Sequence, residues 1–382
     1  MIPLNKPLLR IKETYKAHDD KVFDSFCDRY YSKYYKYWLY SSRNGLDIIY
    51  KYLYLQKGPL NVGVSPLTCF EALYPIIKNN HNIVFIDIDP DTFNLDESIL
   101  KNYLYLDVIQ PIHLGGNPQR MDLIVKWAKT TDAIIVEDCA QALGSYYLKQ
   151  HIGSFGDYSV FSFVKNLYSP LGSIFFSKHE FDMDIVKKVP FSINIYKRVK
   201  RVLESKCSYR KMNLYNLLYR QLLLIKEDGK DYYCPCNYKL TVNLIKQIQN
   251  VFQFLAPLDN RRNNITNKII SEINRDNFIV QKVPEGGDSN RNRLLFKSNK
   301  IPALNVIHTL RKKGVGANNL MQNYLREFQK PVNENGTFRK YFHKEELRNY
   351  LSIHPYLFSV PNSPGLNDKE INIIISSLNS CK

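Results

Sequence analysis

Val136-Glu137-Asp138-Cys139-Ala140-Gln141-Ala142-Leu143-Gly144, followed by Gly153-Ser154-Phe155-Gly156-Asp157 and by Phe161-Ser162-Phe163-Val164-Lys165-Asn166-Leu167, carries most of the information in this chain. Ala133 to Val136 is an apolar run of strand length, and Asp138 follows it after the single residue Glu137. Ligands of an open α/β sheet sit beyond the carboxyl ends of its strands, so an acid at that point can face one. Lys165 sits on a short segment after a second strand-like piece, Tyr158 to Phe163, and its flexible stem can enter the same crevice. Lysines that lose solvation shift their pKa readily and form Schiff bases.

Upstream, short apolar runs at Asn61 to Val64, Ile83 to Ile86 and Val108 to His113 read as strands. Helix-like segments around 69 to 78, 96 to 104 and 121 to 130 separate them. Such alternation predicts a mostly parallel sheet with helical crossovers, an α/β domain that continues through Ser173 to Ser177. Ser41-Ser42-Arg43-Asn44-Gly45 precedes apolar positions 46, 49, 50 and 53 at helical spacing, which places a helix N-terminus near residue 42. Its free amides suit a phosphate. Downstream, a helical pattern runs from Asn237 to Arg262, then a strand is expected at Arg293 to Lys297 and a helix at Ala303 to Lys313. The division expected is a large α/β domain over 1–250 and a smaller C-terminal α+β domain over 251–382.

The chain has 382 residues, 44% of them hydrophobic, enough for a real core and for two domains. Lys plus Arg total 53 against 36 Asp plus Glu, a net charge of +17 that favours anionic partners without choosing among them. Seven cysteines are too few and too scattered for a disulfide framework and read as reduced thiols in a cytoplasmic protein. No run approaches bilayer-spanning length, and the first residues lack the apolar core of a signal peptide. A basic helical insertion is expected near 187–225: from Lys187 to Arg220 ten basic residues face one acidic residue, Glu204, and leucines 214, 217, 218 and 222 recur at helical spacing. The commoner reading of such a stretch is a solvated helix packing its leucines on the body or on a subunit partner; peripheral membrane contact is the other. Cys234-Pro235-Cys236 is too closely spaced for a structural zinc site, and no metal site is expected. Nucleic-acid motifs are absent from the sequence, so charge alone makes a weak case for that partner.

One carboxylate and one amine in a single crevice, beside a phosphate-holding helix N-terminus, suit pyridoxal 5'-phosphate (PLP). Each residue alone has a plainer explanation: Asp138 as a helix cap, Lys165 as a solvated lysine, Ser42 as a cap of its own helix.

Order and spacing add to this. The chain resembles the DegT/DnrJ/StrS family of PLP-dependent nucleotide-sugar aminotransferases along nearly its whole length. Ile2 to Pro7 is similar to the family's opening, Ser41 to Leu46 to its phosphate-binding turn, and Pro66-Leu67-Thr68 to its "P-x-T" segment. Phe85 to Asp96 resembles "VDID..T.N.D", Ile112 to Gly116 resembles "VHLYG", and Glu137 to Gly144 is the closest match, to "EDAAQAHG". Cys236 to Leu240 is similar to "GYNYRM", and Phe358 to Pro361 with Leu366 to Leu378 resembles the C-terminal "LP…L…E…II..L".

The resemblance implies a fold type I aminotransferase architecture and a transfer of an amino group from an amino acid, glutamate in the family, to a keto group of a nucleotide-linked sugar. It implies that Lys165 forms the Schiff-base link to PLP and shuttles a proton, that Asp138 pairs with the pyridinium nitrogen, and that Gln141 faces the ring. Ser42 and Arg43 would bind the phosphate with help from Ser162, and Asn237 would reach the phosphate of a neighbouring subunit, which requires a homodimer with a shared active site.

The chain departs from the family in three places. Only Phe163 and Val164 separate Ser162 from Lys165, two residues fewer than usual, which raises Ser159 as a substitute for Ser162. Cys69 stands where a ring-stacking aromatic is common, with Phe70 expected to point elsewhere. The basic stretch is longer than the usual connection. These departures leave a second reading, an aminotransferase fold that has lost transamination and serves as a binding or regulatory module.

Overall fold

A computed structural model describes residues 2–3, 21–169, 171–182, 187–188, 238–319 and 347–381. The basic leucine-bearing stretch, apart from the backbone of Lys187 and Lys188, lies outside the described residues, as do Asn237 and Cys234 to Cys236.

The main sheet starts from β1 (Tyr35–Leu39), β2 (Asn61–Val64), β3 (Asn82–Phe85), β4 (Val108–Gln110) and β5 (Ile134–Asp138). Two short strands, β6 (Tyr146–Tyr147) and β7 (Gln150–His151), form a separate hairpin before β8 (Tyr158–Ser162) and β9 (Ser173–Ser177). Two-residue strands β10 (Lys187–Lys188) and β11 (Tyr238–Lys239) complete the sheet, whose order is β10-β11-β1-β9-β8-β5-β4-β2-β3. From β8 to β3 every neighbouring pair is parallel, whereas β9 runs antiparallel to both β8 and β1.

The helices that place the site are α1 (Lys21–Tyr31), α2 (Ser42–Lys57), α3 (Phe70–Lys78), α4 (Met121–Thr131) and the single turn α5 (Phe163–Asn166). Parallel strands need such crossovers, and the covered faces explain why their sequences are nearly continuous apolar runs. Alternate residues of β8 go to opposite faces: Tyr158 and Val160 pack with Ile49 and Phe175, while Phe161 packs with Tyr31 and Ile174.

Beyond the main body, α6 (Val242–Phe252) leads through Gln253 and Phe254 into α7 (Leu255–Glu272). A second, antiparallel sheet of order β12-β14-β16-β15 contains β12 (Phe278–Val280), β14 (Leu294–Ser298), β15 (Asn318–Asn319) and β16 (Leu357–Val360). Its own apolar cluster gathers Ile2, Ile265, Phe296, Val306 and Ile374, separate from the two clusters that flank the main sheet. The remaining short strand, β13 (Gly287–Asp288), pairs with β6 and ties this region to the main body. No described helix is long and apolar enough to cross a membrane.

Candidate active site

A cavity of about 380 Å³ opens beyond the carboxyl ends of β5 and β8, beside the segment that follows β2. Its floor is made by Asp138, Ala140 and Gln141 after β5 and by Ser162 and Lys165 after β8. Ser41, Ser42 and Arg43 supply one end, and Cys69 one side. The opposite wall comes from the second sheet, through Arg293, Asn318 and Ser359.

The end formed by α2 is built for an anion. Ser41 is the N-cap, but its hydroxyl turns to Asn44 Oδ1 at 2.8 Å and makes no cap hydrogen bond to the backbone. No acidic residue occupies the first turn to oppose the positive end of the helix dipole, and Arg43 lies in that turn. Gly45 lets α2 lie close on the sheet: a Cβ there would sit 2.9 Å from Val160 Cγ1 and 3.3 Å from Phe175 Cβ. The position of the helix end is therefore set by backbone packing.

Asp138 closes β5 and is buried. Its Oδ1 accepts the Ala140 N–H at 3.0 Å, and no described residue donates to Oδ2. Burial raises its pKa, opposed by the positive charge of Lys165, the Ala140 hydrogen bond and His113. A buried carboxylate with a spare oxygen calls for a cationic partner.

Lys165 lies on α5, and Ser162, three residues earlier, lines the same cavity. Ser162 ends β8 in extended backbone as the N-cap of α5, so the strand end and the first turn bring both residues to the cavity. The shorter segment thus keeps Ser162 at the site. Ser159 goes elsewhere: it lies one strand residue out of phase with Val160 and Ser162, it is fully buried, and its hydroxyl has no hydrogen-bond partner among the described residues. It does not replace Ser162 in the cavity.

Cys69 does reach the cavity, and Phe70 does not; its ring lies 5.6 Å from that of Tyr74. Burial pushes the Cys69 thiol up to about 11, opposed by Lys165, so it stays a thiol near neutral pH. None of the described residues lining the cavity is aromatic. Gln141 Oε1 accepts the Gly115 N–H at 2.8 Å, which turns its NH₂ group away from that contact and leaves it for a ligand.

Of the residues that bound the expected strands, Arg293 lines the cavity, where burial lowers its pKa against the influence of Tyr168 and Cys69. His113 does not. It is buried beneath, taking the Gln119 N–H on Nδ1 at 3.1 Å and pairing through Nε2 with Glu137 Oε2 at 3.3 Å. His113, Glu137 and Cys139 have ligand atoms within 4.8 Å of one another. Glu137 is already saturated by the amides of Gly153, Phe155 and Gly156 at 2.7–2.9 Å. It is a hub for the loop after β7 and reads as structure, not as a metal centre.

Sequence reasoning missed three residues behind Lys165: Arg262 on α7, and Asn290 and Asn292 ahead of β14. The only local signal is the pair of amides two apart in Asn290-Arg291-Asn292. Asn237 lies outside the described residues.

PLP fits this donor set. A buried carboxylate oxygen without a donor, an amine across from it and an uncapped helix end are the three charges that cofactor needs. Lys165 and Asp138 would hold its reactive end and ring nitrogen; Ser42, Arg43 and Ser162 would hold its phosphate.

Residues 25–175 match the DegT/DnrJ/EryC1/StrS aminotransferase family. GDP-perosamine synthase of Escherichia coli O157:H7 is 34% identical over 105 residues, 27% of this chain and 29% of that protein. The matched segments span about a third of the length of the curated relatives. Solved structures align throughout: E. coli GDP-4-keto-6-deoxy-D-mannose-3-dehydratase with bound hydrated PLP has a TM-score of 0.75 at 16% identity, covering 99% of both chains. The sugar aminotransferase CalS13 from Micromonospora echinospora has a TM-score of 0.71 at 15% identity, covering 100% of both. The fold is that of the fold type I PLP aminotransferases.

Proposed function

We propose that this chain, whose residues 25–175 match the DegT/DnrJ/EryC1/StrS aminotransferase family, is a member of that family and a PLP-dependent transaminase delivering an amino group from an amino acid, glutamate first among donors, to a keto group of a nucleotide-linked sugar. The observation that carries this reading is the meeting of Lys165, Asp138 and the α2 N-terminus in one cavity.

PLP, when bound, supplies the aldehyde that takes up the amine and the electron sink that eases proton loss from the adjoining carbon. Lys165 would hold it covalently through Nζ. Released by the incoming amine, Nζ would become the base that takes the proton from the substrate carbon and returns it one position away. Asp138 Oδ2 would keep a proton on the ring nitrogen, in a buried setting where charge pairs are strong. Ser42 and Arg43 would receive the phosphate at the α2 end. Gln141 would face the ring with its NH₂, and Arg293 would meet an anionic part of the substrate. A net charge of +17 helps to collect a diphosphate. A homodimer sharing the site through Asn237, in the synthesis of surface glycan precursors in the cytoplasm, belongs to the same proposal.

The test is the visible spectrum of the protein with PLP, before and after glutamate, for the wild type and Lys165→Ala. A lysine-dependent band that glutamate converts to the amine form supports the proposal. A folded wild type without that band refutes it and favours the binding-module reading. Product analysis with a keto sugar nucleotide separates amine transfer from dehydration, the reaction named for one relative in fold.

A further inference from the structure

Lys165 sits on one helical turn of four residues, too short to hold its shape by its own hydrogen bonds. The family resemblance makes the segment before it two residues short, so something else must hold the amine against Asp138. Side chains from distant parts of the chain do so. The Lys165 carbonyl accepts a hydrogen bond from Asn292 Nδ2 at 2.9 Å. The next carbonyl, Asn166, accepts one from the fully buried Arg262, which also pairs with Asp259 and lies over the Tyr168 ring at 5.5 Å. These are carbonyls that a helix end otherwise leaves without donors.

The same cluster reaches the Asp138 side. Asn290 is buried, and the two hydrogens of its Nδ2 are shared among Leu143 O at 2.7 Å, Asn166 Oδ1 at 3.0 Å and Gln141 O at 3.1 Å. Its own Oδ1 accepts the Asn292 N–H at 2.9 Å. Asn166 Nδ2 in turn donates to Ala140 O at 3.0 Å. The turn carrying Lys165 and the turn carrying Asp138, Ala140 and Gln141 are thereby tied to one another through Asn290 and Asn166. Space is reserved for this: at Gly116, with φ +86°, a Cβ would stand 1.8 Å from Asn290 Oδ1.

We propose that Asn290, Asn292 and Arg262 are positioning residues that clamp the Lys165 turn and fix the reach of its Nζ relative to Asp138, in place of the two missing residues of chain. The inference rests on the transaminase reading, since it assigns the clamp a cofactor to serve. Displacement of a reacting group by about 1 Å costs on the order of a hundredfold in rate, so a clamp at this point acts on the covalent link more than on binding of the phosphate end.

The experiment uses the full chain with Asn292→Asp, which keeps the shape and turns a donor into an acceptor facing the Lys165 carbonyl, and Asn292→Ala as a second variant. Pyridoxamine phosphate, which carries an amine and cannot link to lysine, is titrated to measure binding alone. PLP followed by borohydride reduction and peptide mass measurement then gives the rate and extent of linkage at Lys165. The clamp predicts unchanged affinity for pyridoxamine phosphate and linkage to PLP slowed about tenfold in Asn292→Asp, less in Asn292→Ala. Equal loss of both would mark Asn292 as a merely structural residue and overturn the proposal, as would no loss of either. A wild type that links no PLP would instead refute the transaminase reading, and the clamp with it; linkage in the wild type and undiminished linkage in both variants refute the clamp alone.

Discussion

His151 should make this protein acid-labile through one titration. Its Nε2 accepts the Gly144 N–H at 3.1 Å, and its Nδ1 lies 2.6 Å from Tyr31 Oη, which donates to Ile152 O at 2.8 Å. Nε2 must therefore be unprotonated and Nδ1–H the donor to the tyrosine. A second proton would point at the Gly144 N–H in a fully buried place. Burial lowers the pKa from 6.5 to about 3. The unfolded chain takes the proton first, so stability is intact above 6.5, falls as pH drops below it, and the loss levels off below about 3. At about pH 5 the group has removed about 2 kcal/mol, a large part of a domain's stability. Urea unfolding of the wild type and His151→Gln, near neutral pH and near pH 5, isolates it. The wild type should lose about 2 kcal/mol more than the variant. Equal losses, or a His151 ring that titrates at the ordinary histidine value by NMR, would refute the reasoning.

Two further substitutions separate stability from function. Because burial raises the Asp138 pKa, its charge is a cost to the cofactor-free protein, and Asp138→Asn should raise the melting temperature of that form while slowing the reaction with glutamate on the order of a hundredfold; lower stability together with unchanged turnover would contradict both halves. Gly45→Ala should cost about 1–3 kcal/mol by overpacking against Val160 and Phe175, and, by shifting the start of α2, weaken pyridoxamine phosphate binding, as read by melting and titration; a variant with wild-type affinity would show that α2 does not set the phosphate end.

The fold was legible where burial is continuous. The runs at 61–64, 83–86, 133–136 and 173–177 became strands because both faces of a parallel sheet are covered, which leaves no polar alternation to confuse the reading. Misreadings follow local chemistry. The strand expected over 108–113 stops at Gln110, since Pro111 has no N–H to give the ladder. The helix expected over 96–104 is a six-residue 3₁₀ segment, Glu97–Asn102, capped by Asp96. The single helical pattern over 237–262 is two helices, and Pro257, in the first turn of α7 where a missing N–H costs nothing, was the signal for the break. Asp138 and Lys165, which line the cavity, stood out in the local pattern of strand ends, whereas Gln141 and Ser162, which line it too, entered only through the family resemblance. Asn290, Asn292 and Arg262 could not be read from the sequence, because their partners lie 124, 127 and 96 residues away and no periodicity encodes such contacts.

The absence of an aromatic ring among the described cavity residues would change what holds PLP under the proposed function. The chain has 28 tyrosines and 20 phenylalanines, so the shortage is local. Those near the site stack on one another behind the sheet, Tyr31 on Phe176 at 3.9 Å and Trp38 on Phe163 at 5.5 Å. Phe163 in particular fixes α5 from the core side while Lys165 faces the cavity. On the proposed function, with Cys69 beside the ring, the broad contact worth about 0.5–1.5 kcal/mol in an aromatic pair would be reduced, and orientation would fall to three polar points: the α2 end, Asp138 and Lys165. Points restrain a ring only as well as they are themselves restrained. Two of them rest on regular elements, α2 packed through Gly45 and the end of β5. The third rests on a single turn, which is why the hydrogen bonds from Asn292 and Arg262 converge on that turn and on neither of the others.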